Sequence, residues 1–194
     1  MEHATMRIIH DEHSALAAML RSLSMLLADH RRHGTLPDFA LLRAMLFYVD
    51  EFPERQHHPK ESALLFPRLR IRSPAARDVL DRLDRDHDLG EKAIRDLEHS
   101  LLAFEIVGEP RRRAFEEELR RYVDFYLEHM RIEEVQVLPL ALRVLNDHDW
   151  DELDTAFEQN RDPLTGHPPA DEYRGLFSRI VGMVPAPIGL GPAQ

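Results

Sequence analysis

Four long apolar stripes at helical spacing each carry a histidine in the middle, and that combination constrains the fold of this chain more than any other feature. The first stripe is Met6, Ile9, His13, Leu16, Leu20, Leu23 and Leu27, stepping by three and four residues as one face of an α-helix does. The second runs from about Asp38 to Leu69 on Leu42, Leu46, Val49, His57, Glu61 and Leu64. The third runs to about Glu105 on Leu80, Leu83, His87, Gly90, Ile94, Leu97, Leu101 and Phe104. The fourth, from about Arg111 to Leu145, uses Phe115, Leu119, Tyr122, Tyr126, His129, Glu133, Val137, Leu140 and Val144.

Short breaks separate the stripes: Gly34 to Pro37, Ser73-Pro74 and Gly108 to Pro110. Ser73-Pro74 reads as an N-cap followed by proline at the first helical position. Breaks this short make consecutive helices antiparallel neighbours. Pro53 and Pro59 fall inside the second helix and predict a kink or a broken turn there. The expected fold is all-α, an up-down-up-down four-helix bundle over residues 1–146. Residues 147–194 form a short C-terminal helical extension on or near it: Asp147 to Phe157, then a loop, then Asp171 to Met183. A Pro/Gly tail from Pro185 is expected to be loose. No alternating strand pattern appears.

Composition narrows the chemistry. The chain has 12 His and no Cys among 194 residues, so disulfides, thiolate zinc sites, iron–sulfur clusters and thiol nucleophiles are ruled out. A net charge of −10 argues against nucleic acid or an anionic membrane surface as partner. No apolar run approaches the roughly 18 residues that span a bilayer, and MEHATMRIIHDEH lacks an apolar signal-peptide core. The expected location is the cytoplasm.

Two residues of an antiparallel hairpin stand at one height when they are equally far from its loop. The midpoints of His13–His57, His57–His87 and His87–His129 are positions 35, 72 and 108. Each falls in or beside a break located from Gly and Pro alone, so the four imidazoles share one layer of the bundle. Glu61 and Glu133 follow His57 and His129 at i+4, about 6 Å along their helices. Burying carboxylates without partners costs several kcal/mol. Imidazoles and carboxylates converging in a core layer therefore predict a metal site. This donor mixture suits iron or manganese, and zinc less well because it usually takes four ligands. Six or more ligands over this spread suggest two ions bridged by carboxylates. The pattern also repeats. His57-x3-Glu61-x5-Pro67 matches His129-x3-Glu133-x5-Pro139, and the spacing from single to paired His is 44 in one half and 42 in the other.

The segments HDEHSAL, HHPKESALLFPRL, DRDHDLGE and EHMRIEEVQVLPLA resemble the four ligand-bearing helices of the hemerythrin-like, or HHE cation-binding, family over about residues 6 to 145. The resemblance implies a non-haem di-iron centre with an oxo or hydroxo bridge. His13, His57, His87 and His129 then stand for the terminal histidines, and Glu61 and Glu133 for the bridging carboxylates. The chain departs from the oxygen carriers one turn after His87, where they have a second histidine and this sequence has Glu91. Glu91 at that place either binds iron or points to solvent and pairs with Arg95.

His58 is a rival to His57, because the prolines blur the register of the second helix. His10 is a polar residue at the bundle edge or a neighbour of the site, and His148 with Glu152 reads as a surface pair. A ferritin-type oxidase would need ExxH on two helices, and only Glu54-x2-His57 fits. The metal ligands expected are His13, His57, Glu61, His87, Glu91, His129 and Glu133. The function expected is binding or sensing of O2, NO or peroxide, or of iron itself, in a stress role. Two rival functions are a di-iron enzyme acting on peroxide and a bundle that metal merely staples.

Overall fold

The computed structural model describes residues 3–183. The first helix, α1, is Ala4–His33. It stops at Gly34, whose φ of 64° is left-handed and closes the helix with N–H bonds back to the last turn. Helix α2 spans residues 39–72. Asp38 caps it by accepting from the N–H groups of Ala40 at 2.8 Å and Leu41 at 3.1 Å. A short 3-10 turn, Pro74–Ala76, leads into α3, Arg77–Val107. Ser73 makes no side-chain capping bond there; proline opens the tight turn, and the α-helix proper starts at Arg77. Gly108 (φ 80°, ψ −151°) then turns the chain in a conformation open to glycine, and α4 covers residues 109–144. Helix α1 packs on α2 and α4, and α3 packs on α2 and α4, which is the up-down-up-down ring. Helix α5, Asp147–Phe157, packs against α1, and α6, Arg174–Met183, against α2. The Pro/Gly tail from Pro185 lies outside the described residues. No helix among the described residues is long and apolar enough to cross a membrane.

The expected kink in α2 takes another form. The helix continues through two widened π turns, Asp50–His57 and Glu61–Leu65, and α4 has the counterpart of the second at Glu133–Val137. In each, an N–H reaches back five residues: His58 to Pro53, Phe66 to Glu61, Leu138 to Glu133. Pro67 and Pro139 follow directly after the last two, where a proline without an N–H cannot serve a regular helix. A π turn adds one residue to the turn, and such turns gather at functional sites.

The core comes in two halves. One joins Leu16, Leu20, Leu46, Leu97, Phe104 and Phe115; the other joins Ile9, Phe66, Leu80, Leu83, Val137 and Trp150. Between them, at one height on every helix, lie the buried histidines and carboxylates.

Candidate metal centre

Five imidazoles and two carboxylates meet in that layer. His13 comes from α1, His57, His58 and Glu61 from α2, His87 from α3, and His129 and Glu133 from α4; all are buried. They form two groups. His13, His57, Glu61 and Glu133 make one, and His58, Glu61, His87 and His129 the other, with donor atoms within 4.8 Å of one another in each. Glu61 belongs to both: Oε1 is 2.9 Å from His57 Nε2, and Oε2 is 3.4 Å from His87 Nε2. Glu133 Oε2 also stands between them, 3.4 Å from His13 Nε2 and 3.8 Å from His129 Nε2.

Outside this inner set a ring of polar groups fixes the imidazoles. The Nδ1–H groups of His57, His58 and His13 donate to Glu12 at 2.6 Å, Glu54 at 3.0 Å and Glu134 at 3.0 Å. Ser62 donates its hydroxyl to Asp84 at 2.6 Å and accepts His87 Nδ1–H at 2.8 Å. His129 Nδ1 lies 3.7 Å from Asp86 Oδ2, beyond hydrogen-bond length. Holding Nδ1–H aims Nε2 inward, the arrangement that orients metal-binding histidines. His87 Nε2 and His129 Nε2 face each other at 3.2 Å, which is repulsive unless a proton or a cation lies near both.

The inner atoms are otherwise orphaned. His13 Nε2, His57 Nε2 and all four oxygens of Glu61 and Glu133 are buried without a hydrogen-bond partner. The His57–Glu61 contact is close but not aligned as a hydrogen bond. Buried polar atoms in native proteins almost always have partners, so these orphaned inward-facing atoms of His13, His57, Glu61 and Glu133 fit a metal. Protonation shows the same demand. Burial opposes a charge on His13, but Glu133 and Glu134 outweigh it and raise its pKa to about 9. His57 is raised well above its ordinary value despite burial, by Glu61 and Glu12. Glu61 is held well below the usual range against burial by His57 and His87. His58 is the opposite: burial and its histidine neighbours keep it neutral. Burial pushes Glu54 up to about 7, against the pull of the Tyr126 and Tyr122 hydroxyls.

Six of the seven residues expected from the sequence are brought together, and Glu91 is not. Its side chain is 53% exposed and pairs with Arg95. The reason lies on α3 and its neighbours. Gly90 faces inward, where an added Cβ would overlap the Tyr126 hydroxyl and come within 3.1 Å of Glu54 Oε1. Tyr126 and His58, stacked with ring centroids 5.5 Å apart, fill the space one turn beyond His87. His58 takes the place expected of Glu91. The choice between His57 and His58 does not arise, because both rings are inside. Successive helical residues point about 100° apart. His57 therefore faces His13, with ring centroids 5.2 Å apart, and His58 faces His87 at 4.3 Å.

Several groups around the site had no periodic signal to mark them. Glu12 and Glu134 lie beside a ligand-type residue in sequence, and Glu54 appears only as the ExxH partner of His57. Tyr122 and Tyr126, read as core, are buried and both donate to Glu54 Oε1. His10, 3.8 Å from Glu134 and half exposed, stands at the edge; His148 and Glu152 form an exposed pair. A cavity of about 10 Å³ borders the first group and also touches His58, with Glu12, His13, Phe52, His57 and Asp162 among its lining. Burial pushes the Asp162 carboxyl up to about 6, although Tyr48 donates to it at 2.7 Å and the Leu164 N–H at 2.9 Å.

No curated protein and no solved structure gives a significant match to the chain. The sequence profile of the Hemerythrin HHE cation binding domain does, over residues 4–141. That span begins with α1 and includes all seven inward-facing donors, and the chain therefore belongs to the hemerythrin HHE cation-binding family.

Proposed function

We propose that the chain holds two iron ions, one in each His/Glu group, and binds a small ligand such as O2, NO or peroxide beside His13 and His57. The observation that carries this is the sharing of Glu61 between two buried His/Glu groups, with the Glu61 and Glu133 oxygens and the Nε2 atoms of His13 and His57 left without hydrogen-bond partners. A carboxylate shared between two groups on the helices of one bundle suits a bridged pair of ions. The imidazole and carboxylate mixture favours iron or manganese over a four-ligand zinc site. When bound, such a pair supplies redox chemistry and an open position for a small ligand. The rest of the work falls to the chain. Glu12, Glu54, Glu134 and Ser62 hold the imidazoles in the tautomer that presents Nε2. The two apolar half-cores exclude bulk water. The cavity beside His57 has room for about one water-sized molecule, which limits a ligand to that scale.

Metal analysis after growth in iron-replete medium should give about two iron atoms per chain. Rapid mixing of the anaerobic, reduced protein with O2, NO or peroxide should change its near-ultraviolet and visible spectrum. A lasting adduct supports binding or sensing, whereas turnover of peroxide supports an enzyme. One stoichiometric zinc and no iron would overturn the reading.

A further inference from the structure

The matched family span ends at residue 141, yet the segment after it reaches the site at three points. The Phe157 ring meets His57 edge-on, centroids 6.1 Å apart. Asn160 is 3% exposed and donates from Nδ2 to Glu12 Oε2 at 2.9 Å, while its Oδ1 accepts from Lys60 Nζ. Asp162 lines the cavity beside His13 and His57. These side chains follow from how α5 ends. The N–H of Asn160 bonds to the Phe157 carbonyl at 2.9 Å, which curls the chain over α1. Asp162 then caps the next short turn, Pro163–Thr165.

Glu12 Oε2 is the atom that His57 Nδ1–H also donates to. One carboxylate oxygen therefore has two donors, and the second comes from outside the bundle. An unrestrained Glu12 carboxylate can swing between rotamers and toward water, and His57 turns with it. Asn160, pinned by Lys60 on its other side, removes that freedom.

We infer that Asn160 is a positioning residue for the metal centre: through Glu12 it fixes the His57 imidazole, so that the segment following the bundle completes one of the two metal positions and not the other. The inference rests on the metal-binding reading of the two groups. The second group is held independently, by Glu54 on His58 and Ser62 on His87, and neither of these hydrogen bonds involves residues 157–162. The effect of losing Asn160 is therefore one-sided.

The test is an anaerobic Co2+ titration of the full-length metal-free protein, followed by visible absorption, with Asn160→Ala and the equally sized Asn160→Asp. Wild type should fill in two phases. In Asn160→Ala one phase should keep its affinity, and the other should weaken roughly 10- to 100-fold, the usual effect of losing a group that orients a ligand. Its absorption band should shift as well. Asn160→Asp places a carboxylate against Glu12 and should weaken the same phase at least as much. Because it preserves size and the acceptor for Lys60, it serves should the alanine variant not fold. Unchanged phases in a variant that melts like wild type, or equal weakening of both, would overturn the positioning role and leave the metal reading intact. A wild type that takes up no Co2+ would overturn both.

Discussion

At the residue scale, adjacent positions on α3 have opposite consequences. Gly90 is where it is because the Tyr126 hydroxyl occupies the space its side chain would take. Gly90→Ala should push Tyr126 off Glu54 and cost about 1–3 kcal/mol, the usual range for overpacking, read as a lower urea midpoint. Glu91, one residue on, faces solvent and holds only an exposed ion pair with Arg95. Such pairs are worth little, and Glu91→Ala should change stability by less than about 0.5 kcal/mol. It should leave metal content and spectrum as they were. A metal ion lost in Glu91→Ala would mean that this carboxylate is a ligand after all.

At the element scale, α2 depends on its start and on its two widened turns. Asp38 satisfies two of the four N–H groups that a helix start leaves open. Asp38→Ala should lower stability by about 1 kcal/mol without changing metal stoichiometry, because the cap lies at the far end of the apolar half-core from the histidine layer. Comparing the thermal melt of the loaded protein with its metal content separates these two effects. The widened turns have a different role. Asp50–His57 brings Glu54, His57 and His58 inward together, which a regular period of 3.6 does less readily. Glu61–Leu65 and Glu133–Val137 each begin at a buried carboxylate of the histidine layer. The His-x3-Glu-x5-Pro repeat thus encodes the same local geometry in both halves of the chain.

At the scale of the whole molecule, the metal-free protein has to keep a polar layer between two apolar half-cores. It does so partly by protonating His13, whose pKa rises to about 9 against burial because Glu133 and Glu134 outweigh it. A raised folded-state pKa gives stability that is fully present below the unfolded value near 6.5 and is lost as pH rises through about 9. A metal ion needs the same imidazole unprotonated and must displace that proton, so binding strengthens over the same window. The metal-free melting temperature should therefore fall between pH 6.5 and 9, and the extra stability on loading should grow. Calorimetric melts of both forms across that range check the sign. A loading effect that shrinks with pH would mean that His13 is not displaced from its proton by the metal.

The bundle was legible because its signals are periodic or local. Apolar residues at steps of three and four mark a buried helical face, Gly34 and Gly108 mark turns, and equal distances from those turns put His13, His57, His87 and His129 at one height. Helical geometry alone also carries Glu61 and Glu133 into the layer. What the sequence left open depended on rotation and on partners distant along the chain. The widened turn that swings both His57 and His58 inward cannot be seen in a 3.6-residue pattern. Glu91 keeps the spacing of a ligand, and only the Tyr126 ring from another helix, seated against Gly90, shows why that side chain stays outside. Asn160 lies 148 residues from Glu12 along the chain, a separation at which no local pattern signals contact. Spacing along one helix determined which residues share a height; packing between helices decided which way each side chain turns and what holds it there.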